Sequence, residues 1–91
     1  SAPAEFQADL AALDRLDDAA LWRMARYRAT AAQMERYQTL LDKNAKGMLS
    51  AEERAELAQL RFEFDRHMLR KVHAAALLQW RGHQLPPADK L

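Results

Sequence analysis

Three histidines, a single internal serine and thirteen carboxylates are the residue types through which this 91-residue chain could do chemistry. Their spacing argues against catalysis. His67 and His73 are six positions apart, roughly 240° around a helix, so they do not converge on one ion as an i, i+4 pair does. Glu63 and His67 are four apart, a spacing far more often used for a surface hydrogen bond than for a metal, and His83 has no evident partner. Ser50 is followed three residues later by Glu53, the pattern of a helix cap rather than of an activated nucleophile. Cysteine is absent, which removes disulfides, thiol catalysis and thiolate metal sites together. No glycine-rich phosphate loop is present. The expectation is a non-enzymatic chain with no catalytic residue, no cofactor and no metal.

Two constellations nevertheless have the residue types of a binding site. The stretch from Asp42 to Glu53 resembles the twelve-residue EF-hand calcium loop, with Asp42 first, Asn44 third, Gly47 at the turning sixth place, Met48 seventh, Ser50 ninth and Glu53 last. Lys46 stands fifth, where an oxygen ligand belongs, so this reading is an alternative: a degenerate calcium-binding hairpin. Each of these residues also fits a capped turn. The second constellation is basic. Arg66, Arg70, His73 and Arg81 fall within an arc of about 80° on one helix face and can lie along nucleic-acid phosphates. Net charge is only +1, Glu63 shares that edge, and no base-reading helix-turn-helix pattern is visible, so nucleic-acid contact is the other alternative.

The elements that must position these residues are legible from caps and apolar periodicity. About four helices are expected, near 3–13, 17–28, 31–45 and 51–81, giving an all-α helical hairpin or bundle in one domain over 1–91. Residues 1–5 read as a flexible or appended leader and 83–91 as a tail. Phe6, Leu10 and Leu13 share a face of the first helix, which Pro3 would open. Asp17 caps the second, where Leu21, Met24 and Arg28 share a side. Thr30 with Gln33 forms a capping box that restarts the chain as a third helix, the alternative being one continuous helix from Asp17 to Asn44. Met34, Tyr37, Leu41 and Ala45 are its expected core face. Gly47 stops that helix, Ser50 with Glu53 starts the next, and Gly82 with Pro86 and Pro87 ends it.

The last helix is the informative one. Thirty-one residues would span roughly 46 Å, against a radius of gyration of about 12 Å for a globule of this length. Leu57, Leu60, Phe64, Met68, Val72, Ala75 and Leu78 make its expected core stripe. A second apolar stripe of Phe62, Leu69, Ala76 and Trp80 lies beside it, and a twofold copy of the chain, or another protein, is the expected occupant.

From Leu16 to Gly82 the chain resembles a helical module found in short bacterial proteins of mostly uncharacterised function. The resemblance is carried by DDAALWRMAR, by LLDKNAKGMLSAEERAEL and by the closing MLRKVHAAALLQWRG, an LRK-x-x-A-x-x-LL-x-x-RG pattern. Such proteins look antitoxin-like, and the resemblance implies an accessory or regulatory binding role. No ribbon-helix-helix segment precedes the module.

Composition agrees with a folded helical chain: hydrophobic residues make up 49% and charged ones 30%, with only two glycines. Residues 1–60 hold eight Lys/Arg against ten Asp/Glu, and residues 61–91 hold six against three, an asymmetry too small to imply nucleic acid by itself. The longest nearly uncharged run, Val72 to Trp80, is far short of the roughly 20 residues a bilayer span needs. The opening SAPAEF has no signal-peptide pattern, and a cytoplasmic setting is expected.

Overall fold

The computed structural model describes residues 4–91, apart from the side chains of Glu5 and Ala88. These residues are all-α. Helix α1 is Ala4–Ala12, α2 Asp18–Ala25, α3 Ala31–Ala45 and α4 Ala51–Trp80, with 3-10 turns at Leu13–Arg15 and Ala88–Lys90. The expected start at Pro3 lies outside the described residues.

Local chemistry sets most of these boundaries. The Asp17 carboxylate accepts the Ala20 amide at 2.8 Å and opens α2. Thr30 accepts the Gln33 amide while Gln33 accepts the Thr30 amide, a complete capping box at the start of α3. Its extended backbone at φ −70, ψ 158 cannot continue a helix, so no continuous helix from Asp17 to Asn44 forms; α2 itself already ends at Ala25 rather than near Arg28, where Arg26 leaves helical geometry at φ −92, ψ 1 and the Tyr27 amide tightens onto the Met24 carbonyl. Ser50 and Glu53 repeat the device at the start of α4. Two glycines close the helices. At Gly47, φ 67, the amides of Gly47 and Met48 bond the carbonyls of Asn44 and Lys43, and at Gly82, φ 96, those of Gly82 and His83 bond Gln79 and Leu78. Both are Schellman stops, in which a left-handed residue lets the final carbonyls be satisfied.

The chain divides into two compact units, one of residues 1–27 with 66–91 and one of residues 28–65. In the first, Leu13, Leu21, Ala25, Ala74 and Leu78 form a buried cluster, with Leu16, Trp22, Met24, Leu77 and Leu85 packed against it. Fully burying one such leucine contributes about 2 kcal/mol. Phe6 is buried and Leu10 half-buried, as the first helix's apolar face requires. Arg28, expected to share a side with Leu21, is exposed; Ala25 takes the buried place four residues after Leu21.

In the second unit α3 and residues 51–65 of α4 make a helical hairpin. Leu40 and Leu57 are buried, Tyr37 meets Phe64 edge to face at 5.1 Å, and the Arg36 guanidinium forks onto Glu56. The face of α3 that packs is Tyr37, Leu40, Leu41, so the expected placement of Met34 and Ala45 in the core is corrected: both are exposed. The i, i+3, i+7 choice passed over Leu40, which lies on the packed side about 60° from Tyr37, across it from Leu41.

The seam of α4 also differs from the expected stripe. Buried and half-buried positions run Leu57, Leu60, Phe64 in one unit and His67, Lys71, Ala74, Leu78 in the other, alternating steps of three and four. That is a heptad, which drifts about 20° per seven residues against a straight 3.6-residue helix. A stripe drawn at 100° per residue leaves it after Phe64. Met68 and Val72, expected in the core, are each 60% exposed.

Candidate functional site

The basic stripe is already occupied by the chain's own acids. Asp9 of α1 receives both Arg70, through Nε at 2.7 Å and through Nη2, and Arg66, through Nε at 3.3 Å and Nη2 at 3.2 Å. The Arg70 and then the Arg66 guanidinium hold the Asp9 carboxyl far below the ordinary aspartate value, and Asp9 in turn raises Arg70. Arg81 donates to Asp18 at 2.8 Å and to the carbonyls of Leu16 and Asp14, while His83 sits 2.6 Å from the other Asp18 oxygen. Arg81 first, and His83 second, lower the Asp18 carboxyl. His73 Nε2 lies 3.5 Å from Asp14. Arg66 and Arg70 therefore fasten α1 to α4, and Arg81, just past the end of α4, fastens the 3-10 turn and α2, while His73 Nε2 is buried near Asp14 without a hydrogen bond. Asp9, Asp14 and Asp18 are the functional partners that sequence reasoning did not pick out, since their mates lie 57 to 65 residues away for Asp9 and Asp18.

The calcium-loop residues are not gathered into a loop. Asp42 and Asn44 are inside α3, where Asp42 accepts from Gln38 four residues earlier. Glu53 takes the Ser50 amide on one oxygen and Lys43 on the other, and Lys43 first, then the Ser50 backbone, lowers its carboxyl to about 2. Met48, in the link that follows the Gly47 stop, is strongly exposed. Calcium needs six to eight oxygens around one point. Among the described residues no group of three or more His, Asp or Glu could hold a metal ion. His67 is turned to a different task, stacking on Tyr27 at 4.1 Å and 8°.

The apolar candidates fare differently. Trp80 is 88% exposed, Ala76 and Phe62 are exposed, and Leu69 is half-buried on the flank that carries Arg66 and Arg70. Within residues 66–80, Met68 and Val72 join Ala76 and Trp80 at strict four-residue spacing. The resulting ridge, Met68-Val72-Ala76-Trp80, is turned away from the buried seam, roughly 90° to 210° around the helix from it. Its signal was present in the sequence as i, i+4, i+8, i+12 and was masked by assigning Met68 and Val72 to the core. No acid, base or hydroxyl lies on it, so its chemistry is burial of apolar surface.

No helix among the described residues is long and apolar enough to cross a membrane. Comparison of the chain with protein-family models, with curated proteins and with solved structures gave no match.

Proposed function

We propose that this chain is a non-enzymatic interaction module that pairs with a second copy of itself through the Met68-Val72-Ala76-Trp80 ridge of α4. The observation that carries the reading is the exposure of Trp80 at 88% in line with two further large apolar side chains. Exposed apolar surface of this kind is costly to leave in water, and the largest such patch on a small protein is often functional. From these exposures the ridge offers on the order of 450 Å² of contiguous apolar area. A standard interface takes about 800 Å² per partner, so the ridge supplies roughly half and polar flanks the rest.

A second copy fits because the ridge is complementary to itself when run antiparallel. A twofold axis at the level of Ala74 sets Met68 against Trp80 of the partner and Val72 against Ala76. The first pairing is a favourable thioether-aromatic contact, and the second puts a large side chain over a small one. Side chains four apart form the ridges that interdigitate when helices cross. A weak pair is expected, dissociating on the order of 10–100 µM, which corresponds to about 5.5–7 kcal/mol of association free energy.

Sedimentation equilibrium from about 10 µM to about 1 mM tests it. The parent is expected to rise from 10.4 kDa towards twice that mass. Trp80→Glu, at a strongly exposed position, is expected to keep the parent's helicity by circular dichroism and to stay monomeric. A parent that holds the monomer mass at the highest concentration would falsify the proposal. An antitoxin-like role, as the family resemblance implies, would place a different protein on the same ridge; a monomeric chain carrying Trp22→Phe, so that Trp80 alone emits, whose emission shifts only on adding such a partner is that outcome.

A further inference from the structure

Between α2 and the middle turns of α4, at His67 and Arg70 within the first unit, is a half-open cavity of about 300 Å³. Leu16, Ala20 and Met24 make its apolar floor, and the stacked rings of Tyr27 and His67 form one wall. That wall is held in place by Lys71, whose Nζ donates to the Tyr27 carbonyl at 3.1 Å. Arg23 and Arg70 complete the lining.

Charge around the cavity is one-sided. Arg66 and Arg70 share the single carboxylate of Asp9, which leaves one positive charge over, and Lys71 is spent on a neutral carbonyl. Arg70 binds Asp9 through Nε and Nη2, leaving Nη1 uncommitted. Arg23 makes no hydrogen bond or ion pair among the described residues, and no carboxylate lines the cavity. A concave apolar surface with a few convergent charged groups is the usual make-up of a small-molecule site.

We infer that this cavity binds a small amphipathic carboxylate, a flat ring with a short acid-bearing arm. The ring lies on Leu16, Ala20 and Met24 beside the Tyr27–His67 stack, and the carboxylate is received by Arg23 and by Nη1 of Arg70. An enclosed cavity of about 150 Å³ holds benzene, so twice that volume suits a ring with an arm, about a dozen non-hydrogen atoms. The site does not depend on self-association, since none of its lining residues belongs to the exposed ridge.

The test is a titration of the full chain with 3-phenylpropionate, followed by amide NMR shifts, with acetate and the neutral 3-phenylpropan-1-ol as matched probes. Saturable shifts centred on Ala20, Met24 and His67 are expected, with a Kd on the order of 1 mM. Removing the charge from either side, by the alcohol or by Arg23→Gln, is expected to weaken binding about fivefold or more. Ala20→Leu, which fills the floor, is expected to abolish it; should that variant not fold, the exposed Arg23→Gln still decides. Equal binding of acid and alcohol, equal binding of acetate, indifference to Arg23→Gln, or no saturable shift at about 20 mM would each overturn the inference.

Discussion

Replacing Asp9 by Asn removes one carboxylate oxygen's worth of charge from between two guanidiniums while keeping the side chain's shape. Asp9 and Arg70 keep side-chain exposures of only 20% and 23%, whereas Arg66 is at 43%. The forked Asp9–Arg70 pair is thus worth about 1.5 kcal/mol and the more solvated Asp9–Arg66 pair about 0.5 kcal/mol. A loss of about 2 kcal/mol follows. With an unfolding entropy of about 2.1 cal/mol/K per residue, a chain of 91 residues should melt about 10 °C lower. The assay is thermal unfolding by far-ultraviolet circular dichroism, parent against Asp9→Asn, at neutral pH and again in acid. The folded carboxyl is held below its ordinary value of 3.8, so its contribution is complete above that value and is lost progressively as the pH falls below it. The gap between parent and variant should therefore close on acidification. Equal melting temperatures at pH 7, or a gap that persists undiminished near pH 2, would refute the reasoning.

Other perturbations probe the remaining links. Leu78→Ala, at a fully buried site in the Leu13–Leu21–Ala74 cluster, is expected to cost about 3 kcal/mol in urea unfolding, far more than any change at exposed Met68. Thr30→Ala removes the oxygen that accepts the Gln33 amide and is expected to cost about 1 kcal/mol, seen as faster amide exchange in the first turn of α3. The Glu53 carboxyl is expected to titrate near 2 by carbon-13 NMR, and Lys43→Met to bring it back towards 4.5. The stabilisation it gives α4 is then present above 4.5 and lost as the pH falls towards 2.

What could be read from the sequence was what is decided within three or four residues. Thr30 with Gln33, Ser50 with Glu53, and the glycines at 47 and 82 each satisfy backbone groups of their own turn, so α3 is placed to the residue and α4 to within one. Faces were harder. Leu40, Leu41 and Met34 are all plausible on one side of a 3.6-residue helix, and only packing against Leu57 and Phe64 selects among them. The same holds along α4, where small angular drift accumulates until Val72 and Lys71 exchange expected environments. Lys71 is half-buried because its ammonium finds the Tyr27 carbonyl, a partner 44 residues away that no local pattern announces.

The two flanks of the second half of α4 have been given opposite duties by the acids of the first 18 residues. Arg66 and Arg70 each turn the Nε–Nη2 edge to Asp9, and Arg81 is held by Asp18 and backbone carbonyls, so a polyanion laid along this stripe must displace carboxylates that hold α1 and α2 in place. Nucleic-acid contact there would compete with the fold rather than add to it. The Met68-Val72-Ala76-Trp80 ridge makes no such intramolecular contribution, because its side chains remain largely in water. Covering it costs no internal ion pair and gains the full transfer free energy of its apolar area, about 25 cal/mol per Å² before the cost of association. Along the ridge, burial of apolar surface draws on no contact that the fold already uses, whereas along the basic stripe a polyanion has to compete with Asp9 and Asp18 for the same guanidinium edges.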